Sequence, residues 1–220
     1  MKKVFLIASA LLCTYGVFGQ GTVVFNNRVA GTFTGAQAPL NAPIYGVDSA
    51  DNRPKTGNTS TGVPQGSTTY GGAALLGSGF TIQLWGIGSS SYTTDASLQL
   101  VPNSTSSFRT TASGAGLILA GLTVGVPNAP ADSTAVLQIR AWDNKGGTIT
   151  SWTQVLADGN IARGQSGNIT TFPLGGGTTQ PPNMVGLQSF QLYTIVPEPS
   201  TIALALAGGF GLLFLRRRNK

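Results

Sequence analysis

The 220-residue sequence contains no histidine, and its single cysteine, Cys13, lies in an apolar run at the N-terminus. Without histidine, the chain cannot form Ser-His-Asp or Cys-His catalytic arrangements, or metal sites ligated by histidine. If the N-terminal run is removed, the mature chain has no cysteine, and therefore neither a disulfide nor a thiolate nucleophile. These absences exclude several common classes of enzyme and metal site.

Charge is also scarce, because Asp, Glu, Lys and Arg make up 9% of the residues against a usual ~25%. The net charge is +6, but six of the thirteen cations lie at the two ends of the chain. The body, residues 20–196, has seven cations and six anions, and thus a net charge of +1. Isolated, balanced charges form no stripe that follows a phosphate backbone, so nucleic acid is not predicted as a partner.

The residues that remain offer little catalytic chemistry. The body has no glutamate, and its six aspartates are scattered along the sequence. The segment "GQSGN" lacks the final glycine of a nucleophile elbow, and "GSGFTI" and "GAGLIL" lack the third glycine of a dinucleotide fingerprint. We predict that the protein is not an enzyme and has no cofactor or metal. A polysaccharide-active enzyme is the third alternative, and it would need two aspartates that converge in a cleft.

The first 19 residues have the layout of a secretory signal peptide. Lys2 and Lys3 precede an apolar stretch that runs to about Val17, and Gly19 is a small residue at the −1 position. We predict cleavage between Gly19 and Gln20, and hence export across the inner membrane. The alternative is a retained N-terminal anchor, but the apolar run is short for a membrane span of ~20 residues.

The C-terminal segment, residues 197–220, has three parts. They are Pro197, Glu198 and Pro199, then an apolar stretch at residues 201–215, then a basic end at residues 216–220 that begins with Arg216, Arg217 and Arg218. The apolar stretch is predicted to form one short transmembrane helix. By the positive-inside rule, the arginines stay in the cytoplasm and the body lies outside.

This ordered arrangement resembles the PEP-CTERM sorting signal of exopolysaccharide-producing Gram-negative bacteria. The resemblance implies that an exosortase-type membrane protease recognises and cuts the tail. The chain would then be anchored in the membrane transiently and end in the outer envelope or extracellular matrix. The alternative is an ordinary single-span anchor preceded by a chance Pro-Glu-Pro. In "QGTVVFNNRV", "QLW", "FRT", "QIRAWD" and "VGLQSFQLYTIVPEPS", the body is similar to PEP-CTERM proteins whose domain has no assigned activity.

The body is predicted to be all-β. Apolar and polar residues alternate in 80–86 and 135–143, strands are also indicated at 22–27 and 187–196, and no segment shows a helical stripe. Seven to ten short strands favour an antiparallel β-sandwich, jelly-roll-like or immunoglobulin-like. Two polar, Gly/Pro-rich segments, at about 49–72 and 174–186, are predicted as loops or disorder.

Two tryptophans indicate a candidate binding surface. The alternation places Trp85 beside Gln83, and it places Trp142 beside Gln138 and Arg140. An exposed indole can cover the apolar face of a sugar while amide and guanidinium groups bind hydroxyls. Trp85, Trp142, Arg140 and Gln138 are therefore candidate carbohydrate-binding residues. The other interpretation is that the indoles pack beneath long loops, as large aromatic side chains usually do.

Taken together, these features predict a secreted protein of the cell envelope or exopolysaccharide matrix with a structural or adhesive role. A second interpretation is a carbohydrate-binding module that recognises the producer's own polysaccharide. Saturable, tryptophan-dependent binding to a defined glycan would distinguish the second from the first.

Overall fold

The computed structural model describes residues 19–195. The predicted signal peptide up to residue 18, the predicted transmembrane helix and the sorting tail lie outside these residues. Of the described residues, 32% are in strands and 12% are helical, so the chain is mostly β, as predicted. Within the described range, none of the helices has the length and apolar character that crossing a membrane requires.

Three strands of nine residues dominate the body, and most of the others are short. The strands are β1 (Gln20–Phe25), β2 (Arg28–Val29), β3 (Leu40–Asn41), β4 (Ile44–Tyr45), β5 (Phe80–Gly88), β6 (Gln99–Leu100), β7 (Leu122–Pro130), β8 (Ala135–Asp143), β9 (Arg163–Gln165), β10 (Ile169–Thr170) and β11 (Phe190–Gln191). The two segments with the clearest alternation became β5 and β8, whereas the strand predicted at 187–196 is reduced to β11. Five 3-10 turns lie at Gly35–Gln37, Ser89–Ser91, Asp95–Ser97, Ala112–Gly114 and Lys145–Gly147.

The central sheet is built on the antiparallel pair β5–β8. Their register runs without interruption from Phe80 opposite Asp143 to Gly88 opposite Ala135. Strand β6 pairs with the free edge of β5, and β9 and β10 pair in succession with the free edge of β8. Separate two-stranded sheets join β1 to β7, β2 to β3 and β4 to β11.

The prediction of wholly antiparallel pairing was wrong for one of these sheets. Strands β4 and β11 are parallel, with Phe190 opposite Ile44 and Gln191 opposite Tyr45. Parallel neighbours require a long connection between them. Here the connection is residues 46–189, which make up most of the body, and β11 lies near the C-terminal end of the body.

The main core lies on one face of the β5–β8 pair. Ile82 and Leu84 of β5 and Leu137 and Ile139 of β8 point to this face, as the alternation predicts. The β1–β7 sheet packs against it through apolar side chains that include Val23, Phe25, Val124 and Val126. Gly88 permits the close approach, because a Cβ there would lie 2.1 Å from the carbonyl oxygen of Asn128 in β7.

Both predicted loop segments are irregular in conformation and hydrogen-bonded to the rest of the body. In the first, the backbone N–H of Gly57 donates to the Ser189 carbonyl oxygen at 2.9 Å. In the second, Gly175 exchanges two backbone hydrogen bonds with Thr22, each 2.9 Å long. These contacts tie the loops to β11 and β1.

Candidate functional site: an arginine between two tryptophans

The outer face of the β5–β8 pair, opposite the main core, carries all four candidate residues. Trp85 stands opposite Gln138, and Gln83 stands opposite Arg140 in the same register. Trp85 is half-buried, whereas Gln83, Gln138 and Arg140 are buried. The alternation therefore placed these side chains on the correct face, but that face is largely covered.

Trp142, the fourth candidate, is a core residue, and its predicted exposure was wrong. Its side chain is 0% exposed, and its indole N–H donates to the carbonyl oxygen of Ile149 at 3.0 Å. The ring packs at a tilt against Trp152, with 5.9 Å between the ring centroids. Together with Val155 and Ile161, the two rings form a second apolar cluster. For Trp142, the interpretation that the indole packs beneath loops is therefore the correct one.

A short helix that the sequence analysis missed provides much of this cover. Helix α1 (Trp152–Ala157) begins with a capping box, in which Ser151 and Gln154 satisfy each other's backbone N–H groups. Six residues are too few to display a helical stripe. The Ser-x-x-Gln pattern before an apolar residue was nevertheless a usable signal for the start of the helix. The helix places Trp152 and Val155 over the outer face of the sheet.

Arg140 lies between two indole rings. Its guanidinium carbon is 4.1 Å from the Trp85 ring centroid and 5.3 Å from the Trp152 ring centroid. Both distances fall within the range of cation–π attraction. Burial lowers the pKa of Arg140, and the negative charge of Asp95 opposes this effect. Arginine is effectively always protonated in proteins, so the outer face holds a buried positive charge.

A chain of hydrogen bonds connects Arg140 to the surface. Arg140 Nε donates to Gln138 Oε1 at 2.8 Å, and Gln138 Nε2 donates to Asn168 Oδ1 at 3.1 Å and to Asp95 Oδ2 at 3.3 Å. Asn168 Nδ2 donates to Asp95 Oδ1 at 2.6 Å, and the Tyr92 hydroxyl donates to the same oxygen at 2.8 Å. These donors, Asn168 first, hold the pKa of the Asp95 carboxyl below its usual value.

The ends of the described structure lie next to both predicted processing points. At the N-terminus, β1 begins at Gln20, and the carbonyl oxygen of Gly19 accepts a 2.8 Å hydrogen bond from the Ala131 N–H. At the C-terminus, the Ile195 N–H donates to the Gly159 carbonyl oxygen at 3.0 Å. The sorting residues Pro197 to Pro199 and Arg216 to Arg218 lie outside the described residues.

The tail itself is identified by comparison with known families. Residues 196–218 match the PEP-CTERM protein-sorting motif, and the match begins at the residue after Ile195. No curated protein and no solved structure matches the chain. The motif signals export and membrane-associated sorting towards the cell envelope, with processing by the membrane protein exosortase. By this tail, the chain is a PEP-CTERM protein.

Proposed function

We propose that the chain is an exported precursor whose folded body is released from its tail by an exosortase-type protease. The body then acts in the outer envelope or the exopolysaccharide matrix as a structural or adhesive protein. The observation that carries this proposal is the sorting motif at residues 196–218, directly after a body that is hydrogen-bonded up to Ile195.

The spacing between body and motif supports cleavage close to the folded surface. Pro199 is four residues beyond Ile195, so a fully extended chain places it at most about 14 Å away. Proline disfavours both helix and sheet pairing, which keeps a Pro-x-Pro segment open to a protease. In this proposal, the apolar stretch and the arginines hold the translocated chain in the membrane until the cut.

The N-terminal boundary of the fold supports removal of a signal peptide after Gly19. Cleavage there leaves all of β1, which starts at Gln20. It costs only the single hydrogen bond that the Gly19 carbonyl accepts from Ala131.

We further propose that the body is a β-sandwich of the jelly-roll-like or immunoglobulin-like kind. The support is the packing of the β1–β7 sheet on the inner face of the β5–β8 pair across one apolar core. Strands in these sheets pair antiparallel with their neighbours.

A non-enzymatic role is part of the proposal. Within residues 19–195, no group of three or more Asp, Glu, Cys or His side chains is arranged to hold a metal ion. Each aspartate of the body has donors or cations from other residues of the body: Ala50 and Gly71 for Asp48, Arg53 and Lys55 for Asp51, Tyr92, Asn168 and Gln138 for Asp95, Thr178 and Thr179 for Asp132, Lys145 for Asp143, and Asn160 for Asp158. These contacts stabilise loops, which favours a structural use of the carboxylates.

Carbohydrate binding is the second candidate function, and one observation favours it. Trp85, Arg140 and Gln138 meet on the outer face, and they connect to exposed polar groups at Asp95 and Asn168. Trp142 is not part of this candidate surface, because its side chain is fully buried.

Replacement of Pro197-Glu198-Pro199 by three alanines tests the sorting proposal in the producing bacterium. We expect the variant to stay in the inner membrane with its C-terminal arginines attached. A matched control, S200A, lies between Pro199 and the apolar stretch, leaves all three parts of the motif unchanged and should be processed like the wild type. Normal processing of the triple-alanine variant would refute the proposal.

A further inference from the structure

Arg140 has unused hydrogen-bonding capacity inside the slot formed by Trp85 and Trp152. The residue is only 7% exposed, yet its Nη1 and Nη2 atoms donate to none of the residues from 19 to 195. Within residues 19–195, two side-chain polar atoms are fully buried and have no hydrogen-bond partner, Ser189 Oγ and Gln191 Oε1. The two guanidinium nitrogens are not among them, so they reach the solvent at the mouth of the slot.

The other buried arginine of the body shows the contrast. Arg163 is 5% exposed, and its Nη1 donates to the carbonyl oxygen of Val155 near the end of α1. Among the described residues, the carboxylate ion pairs involve Arg53, Lys55 and Lys145, and none involves Arg140. The charge of Arg140 is thus buried without an acceptor for its outer two nitrogens. Because these two nitrogens are accessible to solvent, they are free to donate charge-assisted hydrogen bonds to an anionic group.

We propose that the slot between Trp85 and Trp152 binds the carboxylate of an acidic sugar through the Nη1 and Nη2 atoms of Arg140. A guanidinium presents parallel N–H groups that match the two oxygens of a carboxylate. The Trp85 and Trp152 rings both pack on the guanidinium, which restricts the orientation of these donors. Gln138 Oε1 accepts a hydrogen bond from the third nitrogen, Nε, and this bond restricts rotation of the guanidinium.

The rim of the slot favours a sugar over an acidic peptide. Gln83 accepts the Trp85 indole N–H and donates to the exposed hydroxyl of Thr105 at 3.0 Å. Exposed amide and carboxylate groups of Asn168 and Asp95 lie on the other side of Gln138. Such groups bind sugar hydroxyls, whereas acidic peptides are recognised by clusters of arginines. The choice of a polysaccharide as the source of the acidic sugar, a uronate, rests on the proposed function. The geometry of the slot does not depend on that function.

Tryptophan fluorescence of the full chain in mild detergent provides a direct test. The chain has three tryptophans, and Trp85, Trp142 and Trp152 all lie at the slot or in the cluster beside it. We expect an oligogalacturonide to change the emission saturably. The same oligosaccharide with its carboxyls reduced to alcohols should bind at least about tenfold more weakly, because it lacks the charge-assisted pair.

Two matched variants test whether binding depends on the planar guanidinium of Arg140. R140K keeps the charge but loses the planar fork, and we expect its affinity for the oligogalacturonide to fall about tenfold or more. R53K alters an arginine whose side chain is 73% exposed and which pairs with Asp51, so its affinity should equal that of the wild type. Thermal unfolding of each variant checks its fold. If R140K fails to fold, the rise in the wild-type unfolding temperature with the oligogalacturonide, compared with the reduced sugar, decides the question.

Four results would overturn the inference: no binding of the oligogalacturonide, equal binding of the reduced sugar, undiminished binding by folded R140K, or equal binding of polyglutamate. The last would make the slot a site for acidic peptides. A protein that is processed and sorted but binds no uronate would refute this inference alone. A protein that binds uronate but keeps its tail would instead refute the proposed sorting.

Discussion

Substitution of Trp142 by alanine distinguishes a core indole from a sugar-binding indole. The side chain is fully buried, it packs on Trp152, and its N–H bonds the Ile149 carbonyl. Burial of about 200 Å² at about 25 cal/mol per Å² corresponds to about 5 kcal/mol. Measured costs of replacing buried Phe or Trp by Ala are about 3–5 kcal/mol, because the site collapses only in part. We therefore expect W142A to lose about 4 kcal/mol of unfolding free energy.

Calorimetry or circular dichroism measures this loss as a lower unfolding temperature. At about 2–4 °C per kcal/mol for a domain of this size, the midpoint should fall by about 8–16 °C. The control is Leu156→Ala in α1, which is 58% exposed and should change stability by less than about 0.5 kcal/mol. A W142A protein that unfolds within about 2 °C of the wild type would refute the core assignment. If it also lost retention on the producer's polysaccharide, the exposed-indole interpretation would be restored.

Three further substitutions test other parts of the structure. Ser151→Ala removes the capping box of α1 and should cost about 1 kcal/mol, while the exposed control Thr153→Ala should cost nothing measurable by thermal unfolding. Gly88→Ala places a Cβ 2.1 Å from a backbone oxygen of β7 and should lower the unfolding temperature strongly, whereas Gly79→Ala meets no atom within 4 Å and should not. Asp95→Asn tests a carboxyl whose pKa is lowered from 3.8 on folding, so its stabilising contribution is complete above that pH and lost as the pH falls through the folded pKa. At pH 7, the wild type should therefore unfold at a higher temperature than D95N. This difference should shrink below pH 3.8, and a difference that does not change with pH would contradict the expectation.

The long central strands were predictable because their information is local. Alternation over 80–86 and 135–143 specified which residues share a face, and the observed register of β5 and β8 agrees. The same alternation could not reveal that both faces of β8 are buried, since the cover comes from chain segments distant in sequence. An alternating strand is typical of one solvated face, and here α1 occupies that face instead.

The missed features depend on long-range pairing. Strands of two residues, such as β4 and β11, have no periodicity of their own, and their parallel pairing arises from contacts between the two ends of the body. The slot around Arg140 also needed α1, which brings Trp152 to within 5.3 Å of the Arg140 guanidinium. Sequence alone correctly placed Arg140 with Gln138 on one face of β8 and Trp85 with Gln83 on one face of β5, and the pairing of the strands brings the two sets together. It could not show that a second indole would close over the guanidinium.

The C-terminal peptide of the mature protein shows whether the tail is cut. The protein is recovered from its producing bacterium, cells are separated from matrix, and the C-terminal peptide is identified by mass spectrometry. We expect a C-terminus between Val196 and Ser200 in the outer fraction, with the basic end removed. An intact "RRRNK" terminus in the inner membrane would contradict this expectation and leave a plain membrane-anchored protein.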